Sequence, residues 1–378
     1  MEFVELYLPL ATLWQEIRLV TLLPGPKGSS ICCGLRVVTL RNSDIELQFR
    51  VDYAALSYEW GDPGGPSKEI MLKGHPFTVR ENLWLALEAL RSETEILMLW
   101  IDAICINQDD TAERNHQVSM MNIIYTEARR VHIWLGPTRD ESKEALDLLE
   151  KVGNPFKGLF AFSEEVTRDS WDERWTNLCT NPEHLAGWRG LAGLMDRSYW
   201  SRLWIVQEFL LPIHTTLHCG SHSIDGTIFN GALHNLMART QRKDQLRFPG
   251  EFQVYLERIL ASPGMKMSEK RGMDCHYRTL VDLIDLTKKS KASDPRDRIY
   301  AILGLATDIS ADQILIDYNR SIFKLKMDVV WFYQTKPNSS LLQDALLNGR
   351  KAETKVELVS RTCRLLDEVF QDCENEDD

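Results

Sequence analysis

Two short runs constrain this chain most, because neither offers a polar face: LMLWIDAICI (97–106) and RRVHIWLG (129–136). A strand that is apolar on both sides must be covered on both sides, which is the condition of a parallel sheet packed between helices. YAALSYEW (53–60) is a third run of this kind, ending in the turn GDPGGP. Between the runs the chain supplies helices. ENLWLALEALR (81–91) has its apolar residues at helical spacing, and HQVSMMNIIYTEA (116–128) follows a cap at Asp110 or Thr111 with Glu113 beside it. EIMLKGHPFTV (69–79) reads as a hairpin around Lys73–Gly74. The order predicts an α/β fold, a parallel sheet flanked by helices.

Around this core the organisation changes. Residues 1–50 form a β-rich lead-in (IRLVTLLPG, ICCGLRVVTL, IELQFRV), and the core spans 51–230. Within the core, SEEVTRDSWDERW (163–175) reads as an inserted loop and HTTLHCGSHSI (214–224) as a strand. Residues 231–366 turn mainly helical, and no residue there announces a ligand. Residues 367–378 hold seven acids and no base, an expected solvated tail. The net charge of −11 has no basic stripe to set against it, which argues against nucleic acid. No uncharged run approaches the roughly 18 residues of a membrane helix, and the N-terminus lacks a basic leader, so a soluble cytoplasmic protein is expected. The eight cysteines show no CxxC spacing and read as reduced thiols, with Cys105 an inert core thiol.

SYWSRLWIVQEFLL (198–211) reads as a buried helix with a carboxylate, Glu208, in its oiliest part. A buried acid must be paired, hydrogen-bonded or protonated. Either Glu208 pairs with Arg202 or Arg189, or it lines a site. Ligands of open parallel sheets sit beyond the carboxyl ends of the strands. Here those ends carry Ser57, Tyr58, Glu59 and Trp60 after the first strand, and Asn107, Gln108, Asp109 and Asp110 after the second. Such a set suits a hydroxyl-rich ligand such as ribose, although Asn, Asp and Gln are also ordinary capping and turn residues. Asp102, in the same strand as Cys105, should pair with a base such as Arg114 or Arg202, or cap a helix, in either case a structural role. His214, His218 and His222, if extended, stand too far apart for one metal. There is no GxGxxG, no P-loop lysine motif and no GxSxG elbow. No metal site and no tightly bound cofactor are expected.

The blocks YAALSYEWGD (53–62), LWIDAICINQDDTAERNHQVSMMNIIYTEARRVHIWLG (99–136) and SYWSRLWIVQEF (198–209) resemble, in order, those of the fungal heterokaryon-incompatibility (HET) domain. EIRLVTLLPG (16–25) and DPRDRIYAILGLATD (294–308) look like its flanking segments. The resemblance implies a role in fungal nonself recognition that ends in programmed cell death. HET domains are in turn distantly similar to TIR domains, some of which hydrolyse NAD with a glutamate in the pattern Ser-x-Trp-Cys-x-x-Glu-Leu. SRLWIVQEF keeps that spacing from Trp204 to Glu208, with Ile205 and Phe209 at the Cys and Leu positions, while CINQDD stands where TIR domains have a Pro-Gly loop. This second resemblance implies a TIR-like sheet, Glu208 as catalyst and NAD as substrate. It also implies Ser57, Tyr58 and Asn107 on ribose or phosphate oxygens, Trp60 or Trp204 stacked on a ring, and activity as a homo-oligomer among other incompatibility proteins. The alternative is a non-enzymatic death-signalling module that self-associates and recruits partners.

Overall fold

A computed structural model of the chain describes residues 6–40, 51–153, 168–240, 250–272, 279–310, 313–337 and 353–371. Among these, nine strands join one mixed sheet in the order β5-β4-β2-β1-β6-β3-β7-β8-β9. Its centre is parallel: β6 (Leu97–Trp100), β3 (Ala54–Tyr58), β7 (Arg130–Trp134) and β8 (Thr215–Cys219). All five residues of β3 are buried, as helices on both faces require. From β3 the chain crosses to β6 on one side and then to β7 on the other. The strand order therefore reverses over β3, the point where open α/β sheets leave a crevice.

The lead-in is part of this sheet. β1 (Glu16–Leu22) and β2 (Cys32–Thr39) pair antiparallel, and β1 also lies antiparallel to β6. IELQFRV falls largely outside the described residues. β4 (Ser67–Leu72) and β5 (His75–Arg80) make the expected hairpin, turned where Lys73 and Gly74 take φ of 52° and 82°. Helix α1 (Glu81–Leu90) follows, and Asp110 caps α3 (Thr111–Ser119), accepting from the Ala112 and Glu113 amides at 2.9 and 3.1 Å.

Tertiary contacts redrew several expected elements. LMLWIDAICI is a strand only to Trp100; Asp102–Cys105 then form a helical turn, α2, with Asp102 accepting from the Ala103 amide at 2.7 Å. The Cys105 thiol lies in this buried turn, and burial pushes its pKa up to about 12. HTTLHCGSHSI is a hairpin, β8 and β9 (His222–Asp225), because Gly220 takes φ 58° against the Thr138 backbone, where a side chain would collide. The latter half of SEEVTRDSWDERW is helical, within Arg168–Thr180, and buries Trp175. The last described helix, Lys355–Phe370, carries Asp367 and Glu368 into ion pairs with Lys326 and Lys288 and buries Val369 and Phe370. That part of the acidic end is packed helix and not tail.

One ion pair ties the lead-in to the core. The antiparallel run of β1 brings Arg18, 1% exposed, beyond the carboxyl end of β6. There its guanidinium grips both oxygens of Glu113 at 2.5 and 2.9 Å and donates to the Cys105 carbonyl at 3.1 Å. Glu113 in turn accepts from the Asn107 amide at 2.7 Å. Removing one member leaves the other charge buried and unpaired. Glu113→Ala is therefore expected to lower unfolding free energy by about 3–5 kcal/mol in denaturant titrations. Removing both charges with Arg18→Met and Glu113→Gln should cost clearly less than the single change.

Candidate functional site

The helix expected over 198–211 is broken, and the break builds the site. Ser198–Ser201 form one 3-10 turn, Arg202 is extended (φ −69°, ψ 141°), and the α-helix runs only from Ile205 to Leu210. The cause is a strand-like bridge to a distant segment. The Lys291 amide donates to the Ser201 carbonyl at 2.7 Å and the Leu203 amide to the Lys291 carbonyl at 2.8 Å. Arg202 thereby turns inward to two carboxylates.

Glu208 is 2% exposed, and its Oε2 lies 3.5 Å from Arg202 Nη1. The same oxygen takes a short hydrogen bond from the Ser57 hydroxyl, which pairs with the Tyr199 hydroxyl at 2.7 Å. With Glu208 ionised, Tyr199 donates to Ser57 and Ser57 to the carboxylate. Burial raises the Glu208 pKa, and Arg202 and Ser57 only partly offset that. Asp102 is raised for the same first reason, opposed by Arg202 and by the Trp60 indole N–H, 2.7 Å away. Burial alone would lower Arg202, but Glu208 and Asp102 outweigh it and hold the guanidinium charged. Arg189, the other partner considered for Glu208, pairs instead with Glu141 near the surface.

Beyond Arg202 opens a cavity of about 550 Å³ at the carboxyl edge of β3 and β6. Trp60, Asp102, Arg202 and Trp204 line it, as do Arg114 from α3 and the segment Lys291–Asp297. Of the six residues singled out from sequence, Trp60 and Trp204 reach this wall. Ser57 is fully buried behind it with Glu208, and Tyr58 is buried beside Asp102. The Asn107 side chain accepts from the Asp109 amide at 3.3 Å, closing a turn in the loop that Glu113 anchors. Glu208 itself does not line the cavity; Arg202 stands between them.

Sequence reasoning missed the contribution of the helical C-terminal region. Asp297 accepts from the Tyr318 hydroxyl at 2.6 Å and from the Trp204 indole at 3.0 Å, and Tyr318, Asp294 and Lys291 share the cavity wall. The available signal was the charged run SDPRDR set directly against the apolar helix IYAIL. His218, set aside as a metal ligand, meets His132 at 2.9 Å, and burial lowers both imidazoles, to about 3 and about 4. Among the described residues no cluster of His, Cys, Asp and Glu could hold a metal, and no helix is long and apolar enough to cross a membrane.

The fold and cavity define an α/β chain with a ligand-sized crevice at the switch point of its sheet. Residues 53–208 match the family model of the heterokaryon incompatibility protein (HET), a range that runs from the start of β3 to Glu208. Over that range the chain is similar to a HET domain. It is 28% identical over 358 residues to Heterokaryon incompatibility protein 6, OR allele, of Neurospora crassa. That match covers 81% of this chain and 52% of the relative, so the chain spans about half the length of the protein it matches. No solved structure matches it.

Asp297 gives the site a measurable pH signature. Burial raises its carboxyl from 3.8 to about 6, the Tyr318 and Trp204 hydrogen bonds notwithstanding. The folded chain therefore holds this proton more tightly than the unfolded chain. The resulting stability is fully present below about pH 4 and is lost as pH rises through about 6. Asp297→Asn should remove that component. The stability difference between wild type and variant is expected to fall by about 3 kcal/mol from pH 4 to pH 7 in parallel urea titrations.

Proposed function

We propose that this protein is a death-inducing effector of fungal nonself recognition that hydrolyses NAD, or a related nucleotide, at the nicotinamide–ribose bond. The incompatibility role is supported by the similarity to a HET domain and by the relative named above. The chemistry is supported by one arrangement: a nucleotide-sized cavity whose wall, at Arg202, is backed by an acid with a raised pKa.

In this reaction the C1′–N bond breaks and its electron pair leaves with the neutral nicotinamide. Water supplies the oxygen to C1′ and releases a proton. Positive charge develops on the ribose, and a carboxylate facing it lowers the barrier. Glu208 meets that need only if Arg202 moves off it. A phosphate in the cavity is the competing anion that would draw the guanidinium outward. Trp60 and Trp204 offer flat faces to the rings of the ligand. Ser57 remains on Glu208 and, with Tyr199 behind it, holds the acid in one rotamer. Assembly into homo-oligomers and contact with other incompatibility proteins belong to the same proposal.

A second reading has its own support in the near-complete burial of Glu208 under Arg202. In it the cluster is structural, and the domain kills by self-association and recruitment of partners.

Incubating forcibly oligomerised protein with NAD and following nicotinamide by chromatography separates the two. Under the enzymatic reading wild type releases nicotinamide, and Glu208→Gln, with unchanged circular dichroism, is slower by about 10²–10³-fold. Full activity in Glu208→Gln would sink that reading. Intact NAD with assembled wild type, together with undiminished killing on expression of both proteins, would establish the second.

A further inference from the structure

Four carboxylates (Glu59, Asp102, Asp294, Asp297) and four cations (Arg80, Arg114, Arg202, Lys291) line the cavity wall, and they are not paired one to one. Each lining carboxylate already has a donor of its own: besides Asp102 and Asp297, Glu59 takes the Ser198 hydroxyl at 2.5 Å and Asp294 takes Arg296 at 2.8 Å. Of the cations, Arg202 answers Glu208, and Arg80 donates to the Gly61 carbonyl at 2.7 Å. Among the described residues Arg114 and Lys291 are hydrogen-bonded to no carboxylate, and Arg114 acts on Asp297 only through space.

Arg114 is the unusual one. Its guanidinium carbon sits 4.1 Å from the centroid of the Tyr318 ring, so the group is held in a fixed plane. Its Nε is buried with no hydrogen-bond partner. Tyr318 does not relieve it, because that hydroxyl is given to Asp297. Leaving buried donors unmatched carries a free-energy cost, whereas a phosphate matches a planar guanidinium with two parallel bonds. Lys291 is exposed, but its backbone is clamped at both ends to Ser201 and Leu203, which fixes where its amine can reach.

We propose that Arg114 and Lys291 form a diphosphate subsite of the cavity, between α3 and the Lys291–Asp297 segment, so that the site recognises phosphate-bearing nucleotides. The choice of nucleotide rests on the NAD reading above, but binding through this subsite needs no hydrolysis. The planar fork supplies geometry for one phosphate group and the lysine a mobile point charge for its neighbour. Such recognition weakens with salt, because exposed charge pairs are screened.

Isothermal titration with ADP-ribose, inorganic pyrophosphate and nicotinamide riboside tests this on the full chain. Wild type should bind ADP-ribose and pyrophosphate, more weakly at higher salt. Arg114→Met should weaken both by about tenfold or more, the loss of one charge-assisted pair, and Arg114→Lys should restore part of it. Lys291→Met, at an exposed side chain, should show the same direction if Arg114→Met does not fold. Nicotinamide riboside, which lacks the diphosphate, should be indifferent to all three changes. Equal ADP-ribose affinity in wild type and folded Arg114→Met, or no binding of ADP-ribose or pyrophosphate by wild type at millimolar concentration, would overturn the proposal. Binding that depends on Arg114 without any nicotinamide release would leave the subsite standing and remove the hydrolase reading. Nicotinamide release with a KM untouched in Arg114→Met would do the reverse.

Discussion

One guanidinium answers two buried carboxylates, and much of the molecule is arranged around that shortage. Arg202 faces Glu208 on one side and feels Asp102 on the other. Two acids against a single cation leave the cluster short of positive charge, so burial raises both acids despite the arginine. Reaching this position costs the chain its helix. The residue is extended, and the hydrogen bonds that a continuous helix would have made are replaced by the bridge to Lys291. A single side chain thus joins β3 through Ser57 and Glu208, β6 through Asp102, and the C-terminal region through its backbone.

That joint explains why the helical C-terminal region does not behave as an appendage. Besides the Lys291 bridge, the Gln207 side-chain Nε2 donates to the Ala301 carbonyl at 2.9 Å, and Trp204 and Tyr318 converge on Asp297. The Tyr318 backbone amide also donates to the Asn115 side-chain oxygen on α3 at 3.1 Å. The cavity therefore has a floor from the sheet edge and a side wall from the C-terminal segment. A displacement of that segment would change the wall and the Arg202 backbone together.

On the opposite flank the lead-in plays a comparable part. Arg18 holds Glu113, and Glu113 holds the Asn107 amide, so the loop after β6 is fixed from β1. Asn107, attractive from sequence as a ligand contact, is occupied as a turn residue for this reason. The same economy governs Ser57, whose hydroxyl serves Glu208 and Tyr199 and not the open cavity.

The sequence by itself determined the parallel centre of the sheet. Runs apolar on both faces, alternating with amphipathic helices, leave few options other than parallel strands between helical layers, and β3, β6 and β7 lie where that pattern placed them. It also made plain that Glu208 would be buried and in want of a partner, with Arg202 as one of two choices. Tertiary structure alone decided where the elements end. Strand β6 stops at Trp100 because the chain turns helical from Asp102, whose carboxylate accepts from the Ala103 amide; the expected helix breaks at Arg202 because Lys291, far along the chain, claims its neighbours' backbone groups. It also decided which residues face the cavity. Periodicity registers whether a side chain is inside or outside, but a pocket is assembled from segments that only packing brings together, and no local pattern in 291–318 encodes that meeting.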